Sequence, residues 1–473
     1  MNIHSIFKVK SMALAVAAAT VISGQAFALA PNTVPDITLY ASGASAQDKA
    51  FGSLLEELCV AGTYDTYLDG GVGKAQRAFS CNLDSTKVTG LSINNPKVLI
   101  YKRSAGGSGM GVAPVADATP MEFMNVNSTN CTLTATANTY NCAYNATTNM
   151  QMHVSDAGLS DVEPALFVGV NKPATADEVS SAQLGKLDVK SVRAGVFGIP
   201  VTTALRNALQ KAQGLVVGDE SQANMPSLSK IQVASLMAKN GIKKWDSLYM
   251  GGSKLTEVTG VTLPSDLRVH ICRRVNGSGT QAQFNANFLG NPCTAGALTP
   301  VEVSGAGSFG PVVVLNSGSG DVDTCLDTKN TSNIWAVGVL STESNTTLAK
   351  GYRFIKIDGV APTLENVWNN TYFDWAEESM QWRTPAAGGP ATTSDEYKIL
   401  NTLATQAGKP SIVAAANADF NHSWGQAGYL SLNTNGNATD TVWNVANPVA
   451  TASHGTPVSN CRVPLINKPS SLK

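Results

Sequence analysis

Charge is what this chain has least of. Asp, Glu, Lys and Arg make up 14% of its residues, against roughly 25% in average globular domains. The two signs nearly cancel, at a formal −1. There is no basic block, which argues against a protein that tracks nucleic acid or an anionic membrane surface. Histidine is equally sparse. Beyond the first residues it occurs as His153, His270, His422 and His454, none at metal-ligand spacing, and no cysteine pair reads Cys-x-x-Cys. That leaves no metal motif and no cofactor motif. Ser108, Ser278 and Ser308 lack the Gly-x-Ser-x-Gly frame of a nucleophile elbow, so no catalytic residue is assigned. No apolar run is long enough to span a bilayer.

What is present begins with an export signal. Lys8 and Lys10 precede an apolar run from Met12 to Ile22, and Ala26-Phe27-Ala28 supplies the small-x-small pattern of a cleavage site. Cutting after Ala28 makes residues 1–28 a signal peptide. With no cysteine near the cut, a lipid anchor is not expected, so the mature chain reads as periplasmic or secreted. Eight cysteines in an exported protein read first as four disulfides, with thiol or zinc sites as the competing reading. The sequence-local pairing is Cys59–Cys81, Cys131–Cys142, Cys272–Cys293 and Cys325–Cys461.

Along the chain, strands alternate with helices. Asp36 to Tyr40 reads as a strand, followed by the loop Ala41 to Ala46 and a helix with Phe51, Leu54, Leu55 and Leu58 on one face. Lys97 to Lys102 is a second strand, ending in Ser104-Ala105-Gly106-Gly107-Ser108-Gly109. Residues from 113 to about 150, rich in Asn and Thr and containing Cys131 and Cys142, read as a disulfide-pinned insertion. Met150 to Val154 is strand-like and delivers Ser155-Asp156. Ser229 to Gln232 is a capping box. From about 384 the composition turns to Pro, Gly and Thr, and the last fifty residues read as loop-rich. Strands and helices in alternation, with Gly/Ser turns at strand ends, predict an α/β fold.

The stretch Arg273 to Thr280 is the most informative. It follows the apolar run Leu267 to Ile271 and leads into a segment with Phe284 and Phe288 at helical spacing. A strand, a Gly/Ser/Thr turn and a helix start present free N–H groups at the positive end of a helix dipole. Ser278 and Thr280 add hydroxyls and the arginines add cationic forks. This pattern predicts an oxyanion cradle.

At these residues the chain resembles the PstS-like family, the periplasmic substrate-binding proteins of phosphate ABC transporters. Leu39 to Ser45 is similar to the family's first anion loop, Ser104 to Gly107 to its Ser-Ser-Gly-Gly loop, and Ser155-Asp156-Ala157 to its Ser-Asp-Ala turn. Arg273 to Thr280 is similar to its Arg-Arg-x-Asp-Gly-Ser-Gly-Thr motif. The resemblance covers most of residues 36 to about 375. It implies a two-lobed periplasmic-binding-protein fold of type II with a hinge, the first lobe being 29–193 plus 376–473 and the second 194–375. It also implies an oxyanion, phosphate first, contacted by Ser45, Ser104 and Asp156 from one lobe and by Arg274, Ser278, Gly279 and Thr280 from the other. The partner it implies is an ABC permease, and the protein is then not an enzyme.

In that frame, a carboxylate at Asp156 accepts the proton of hydrogen phosphate and finds no donor on sulfate. Two positions depart from the family pattern. Asn276 replaces an Asp, which predicts that Arg274 lacks a neighbouring anion and that the pocket is more positive. Ser45-Ala46 replaces a Thr-Phe pair, which predicts a roomier pocket. Two other functions remain open on the sequence: a secreted phosphatase on the same fold, and a surface-interaction protein that uses the insertion and tail.

Overall fold

The computed structural model describes residues 30–70, 75–145, 148–174, 176–305 and 307–466. The export signal lies outside the described residues. The chain opens with β1 (Ile37–Gly43) and α1 (Asp48–Leu58), followed by β2 (Asp65–Asp69), β3 (Gln76–Asn82) and β4 (Lys97–Arg103). The predicted insertion forms β5 (Pro120–Met124), β6 (Cys131–Leu133) and β7 (Thr139–Cys142), and the strand expected after it is β8 (Met150–Val154). β5 pairs with β8 and β6 with β7, and the Cys131–Cys142 bridge joins two residues directly opposite in the β6–β7 ladder. The insertion is therefore a pair of hairpins, and β7 extends the main sheet by pairing with β2.

β9 (Ala157–Ser160) completes the arrangement that matters most. β1 lies between β4 and β9 and runs parallel to both. Parallel strands carry their functional loops at one edge, beyond their carboxyl ends. The loops after Gly43, Arg103 and Ser160 therefore share an edge. Phe51, Leu54, Leu55 and Leu58 of α1 are buried on this sheet, as their spacing predicts.

β10 (Leu187–Thr202) is 16 residues long and joins two sheets. After it come α2 (Thr203–Ala212), α3 (Lys230–Met237), β11 (His270–Arg274), α4 (Gly279–Leu289), β12 (Val312–Asn316), α5 (Ser319–Thr331), β13 (Ala336–Gly338) and β14 (Tyr352–Ile357). α3 starts at the predicted capping box, with both reciprocal bonds between Ser229 and Gln232 formed. β11 runs parallel to β12 and β13, while the carboxyl half of β10 pairs with β13 and β14. One face of this second sheet buries Leu205, Val233, Trp245 and Phe284, and the other buries Val322 and Leu326 of α5. Helices on both faces of a largely parallel sheet make this an α/β fold, as the sequence predicts.

The chain then returns through α6 (Leu364–Trp368) and β15 (Trp375–Arg383), which lies between β9 and the amino half of β10. α7 (Asp395–Ala407) packs Ile399, Leu400 and Leu403 into the α1 core. It is followed by α8 (Pro410–Asn417) and β16 (Tyr429–Leu432). From about residue 384 the composition turns to Pro, Gly and Thr, yet a helix forms there. The helical spacing of Ile399, Leu403 and Ala407, with Ser394 as cap, outweighs it.

All eight cysteines are bridged. Cys59–Cys81 and Cys131–Cys142 join as expected. The other two pairings differ from the sequence-local expectation: Cys272 bonds Cys325, and Cys293 bonds Cys461. Cys272 sits in β11 beneath α5, so helix-on-sheet packing brings Cys325 to it. Cys293 lies in the loop after α4, where the tail passes. Distance along the chain is a poor guide once packing sets proximity.

Candidate functional site

Three loops beyond the first sheet meet two loops beyond the second. Gly109 N donates to Gly277 O at 2.7 Å, and Gly277 N donates to Asn171 O at 3.0 Å. A Cβ on Gly107, where φ is +75°, would stand 2.7 Å from Ser278 Cα, so glycine is needed both for the turn and for this approach. The strand and helix predicted around Arg273–Thr280 are both present, and Ser278 caps α4 by accepting from Gln281 N at 3.3 Å.

Arg274 is 1% exposed at the carboxyl end of β11. Its Nη2 donates to Ser317 O at 2.7 Å and its Nη1 to Ser319 Oγ at 3.2 Å. Ser45 joins this group, with its Oγ 3.1 Å from Ser319 Oγ. Thr280 Oγ1 donates to Asp161 Oδ2 at 3.0 Å. Ser108 Oγ accepts from Gly279 N and from Asp161 N, both at 3.2 Å. Ser104 is turned toward a buried ion pair. It donates to the Asp48 carboxylate at 2.8 Å, while Lys102 Nζ lies 3.1 Å from Asp48 and 3.0 Å from Ser104 Oγ.

Of the seven oxyanion candidates, the structure gathers Ser45, Ser104, Arg274, Ser278, Gly279 and Thr280 about these loops. Asp156 is not among them. It stands before β9, where its Oδ2 accepts from Tyr40 N at 2.8 Å in the middle of β1. Asp161 stands after β9. Five residues at a rise of about 3.3 Å each separate the two residues' Cα positions by roughly 16 Å along an extended chain. The carboxylate beside Arg274 is therefore Asp161. The chain carries Ser-Asp twice, at 155–156 and 160–161, and only the limits of β9 decide which one reaches the loop edge. Ser108, Asp48 and Lys102 were also missed, although Ser108 lies inside the Gly/Ser loop that the sequence marks.

The electrostatics follow from burial. Burial pushes the Asp161 carboxyl above its ordinary range, and Arg274, Thr280 and Lys102 pull it back. Burial also lowers the Arg274 guanidinium to about 10, against the pull of Asp161, Asp321 and Asp48. The Lys102 ammonium is lowered by burial and supported by Asp48. The expectation that Asn276 leaves Arg274 without a neighbouring anion is not met. Asn276 accepts from Arg273 Nη2 at 2.8 Å and donates to Glu302 Oε1 at 2.8 Å, while Arg274 has Asp161. Ala46 is fully buried, and Tyr429 Oη donates to its carbonyl at 3.1 Å.

One detail bears directly on chemistry. Among the described residues, Arg274 Nε and Asp161 Oδ1 are both buried without a hydrogen-bond partner. A donor and an acceptor are left unsatisfied in one dry cluster, and each such group is costly unless something fills it.

No protein-family model matches the sequence, and no curated protein matches it. Solved structures do show a likeness. One from Clostridium perfringens, assigned as a phosphate ABC transporter substrate-binding protein with bound phosphate, is 13% identical with a TM-score of 0.43, covering 80% of this chain and 98% of its own. An ABC-type phosphate transport receptor from Vibrio cholerae is 11% identical with a TM-score of 0.37, covering 77% and 94%. A phosphate-binding protein from Stenotrophomonas maltophilia is 11% identical with a TM-score of 0.38, covering 75% and 81%. At such identities and scores the likeness carries no weight for the site, which is read from this chain's own residues.

Proposed function

We propose that this protein is an exported solute-binding protein that captures a protonated inorganic oxyanion, hydrogen phosphate, where the loops of its two sheets meet. The observation that carries this reading is the unsatisfied pair, Arg274 Nε and Asp161 Oδ1. Hydrogen phosphate supplies both missing partners, because its oxygens accept from the guanidinium and its hydroxyl donates to the carboxylate. Sulfate at neutral pH has no proton to give and leaves Asp161 facing an anion. The amino end of α4, with Ser278, Gly279 and Thr280, adds the favourable end of a helix dipole. The groups come from strands of both sheets, so the ligand itself links them, and delivery to a permease is the role this suits.

Calorimetry on the purified protein tests the reading. Heat with phosphate and arsenate, and little with sulfate, is the expected result. Absence of heat with all three at high micromolar concentration rules it out.

A further inference from the structure

A cavity of about 600 Å³ lies where α6 meets the hairpin Asn421–Gln426. Its volume falls within the range of small-molecule sites, roughly 300–1,000 Å³. The residues that give it chemistry are Gln222, Lys356, Glu365, Trp424, Gln426 and Trp443. None of them belongs to the oxyanion cluster.

The floor is built by a close approach. Gly425 has φ +138°, and a Cβ there would stand 2.7 Å from Thr363 Cγ2, so only glycine lets the hairpin seat against the start of α6. Trp424 is fixed, stacked on His422 with ring centroids 4.3 Å apart. Trp443 is half-buried and leans on Trp368 at 6.2 Å. A tryptophan held in place on an otherwise exposed loop offers a rigid apolar face at low entropic cost.

The polar groups are unusually free. Gln426 Oε1 is buried without a partner among the described residues. Lys356 Nζ and the Glu365 carboxylate form no ion pair among the described residues. Their opposite charges cancel, so the cavity gives no net attraction to an ion. An apolar indole face, amide groups and one donor and one acceptor of opposite charge suit a molecule with an apolar face ringed by hydroxyls. A pyranose has that form: its axial C–H groups make one face apolar, and its equatorial hydroxyls both donate and accept.

We propose that this cavity is a second binding site and that it takes a neutral saccharide of about two rings. The ring's C–H face lies on Trp443, and its hydroxyls bond to Gln426, Glu365 and Lys356.

Calorimetry and tryptophan fluorescence with cellobiose, maltose and N,N′-diacetylchitobiose test it. At least one should bind with a dissociation constant between about 10 μM and 10 mM, with a change in emission. Gln426→Ala and Trp443→Ala should each weaken that binding by about tenfold or more and leave phosphate binding unchanged. Glu365→Ala, at an exposed position, should also weaken it and serves if Trp443→Ala fails to fold. No binding of any of the three at about 20 mM by folded protein overturns the proposal. So does saccharide binding that survives Gln426→Ala and Glu365→Ala. Phosphate titration of the same samples reads the other site separately, so failure at one is distinct from failure at the other.

Discussion

At the scale of single residues, the proposed oxyanion site turns on Arg274 and Asp161. Removing Arg274 deletes the cation placed to meet the anion. Arg274→Ala should therefore raise the phosphate dissociation constant at least about 100-fold by calorimetry. Asp161→Asn exchanges an acceptor for an amide donor, which a fully ionised oxyanion can use. The phosphate-to-sulfate affinity ratio should fall by about tenfold or more, whereas Asp156→Asn should leave it within about twofold. A larger effect from Asp156 would return the selecting role to that residue. The strand, turn and helix start around Arg-Arg-x-x-Gly-Ser-Gly-Thr were legible in the sequence, because residue types and their spacing are local. It did not distinguish the two Ser-Asp dipeptides, since the difference is which end of a four-residue strand each occupies.

At the scale of elements, two opposing preferences meet at the start of α4. Inside a helix, Gly→Ala ordinarily gains about 0.5–1 kcal/mol. At Gly279 an added Cβ would lie 2.4 Å from Ser108 Oγ and 2.8 Å from Asp161 Cβ. The clash should win, so Gly279→Ala is expected to lower both phosphate affinity and melting temperature, and thermal melts with and without phosphate will show it.

The buried carboxylates near β15 and β16 make a second element-level prediction. Burial pushes Glu343 up to about 7 and Asp374 up to about 6, from ordinary values of 4.5 and 3.8. Lys49, Tyr429 and Arg193 pull Glu343 back, as Asn287, Gln283 and Lys230 do Asp374. The Tyr429 hydroxyl stands against both the Ala46 carbonyl and the Glu343 carboxyl. The folded chain thus holds protons that the unfolded chain has released. The contribution of these two groups to stability is greatest below their ordinary values and declines as pH rises from about 4 to about 7. Melting temperatures across that range should fall, and Glu343→Gln or Asp374→Asn should each flatten the decline.

At the scale of the whole molecule, β10 and β15 tie the sheets together, and Cys293–Cys461 ties the tail across 168 residues. Chain entropy alone assigns such a closure at most about 5 kcal/mol, less here because other bridges already restrict the unfolded chain. Cys293→Ser with Cys461→Ser should lower the melting temperature by several degrees and leave phosphate affinity nearly unchanged. A large loss of affinity would mean that the tail holds the loops in place.

The sequence by itself determined the alternation of strands and helices, the insertion's own hairpin bridge, and the strand, turn and helix start at Arg273–Thr280. Each depends on periodicity, turn chemistry or spacing within a few residues. Tertiary structure alone decided that Asp161 faces Arg274, that Asn276 serves Arg273, and that Cys272 and Cys293 find Cys325 and Cys461. Those outcomes depend on where strands end and on which layers pack together. Such facts join residues far apart in the chain, and no local pattern encodes them.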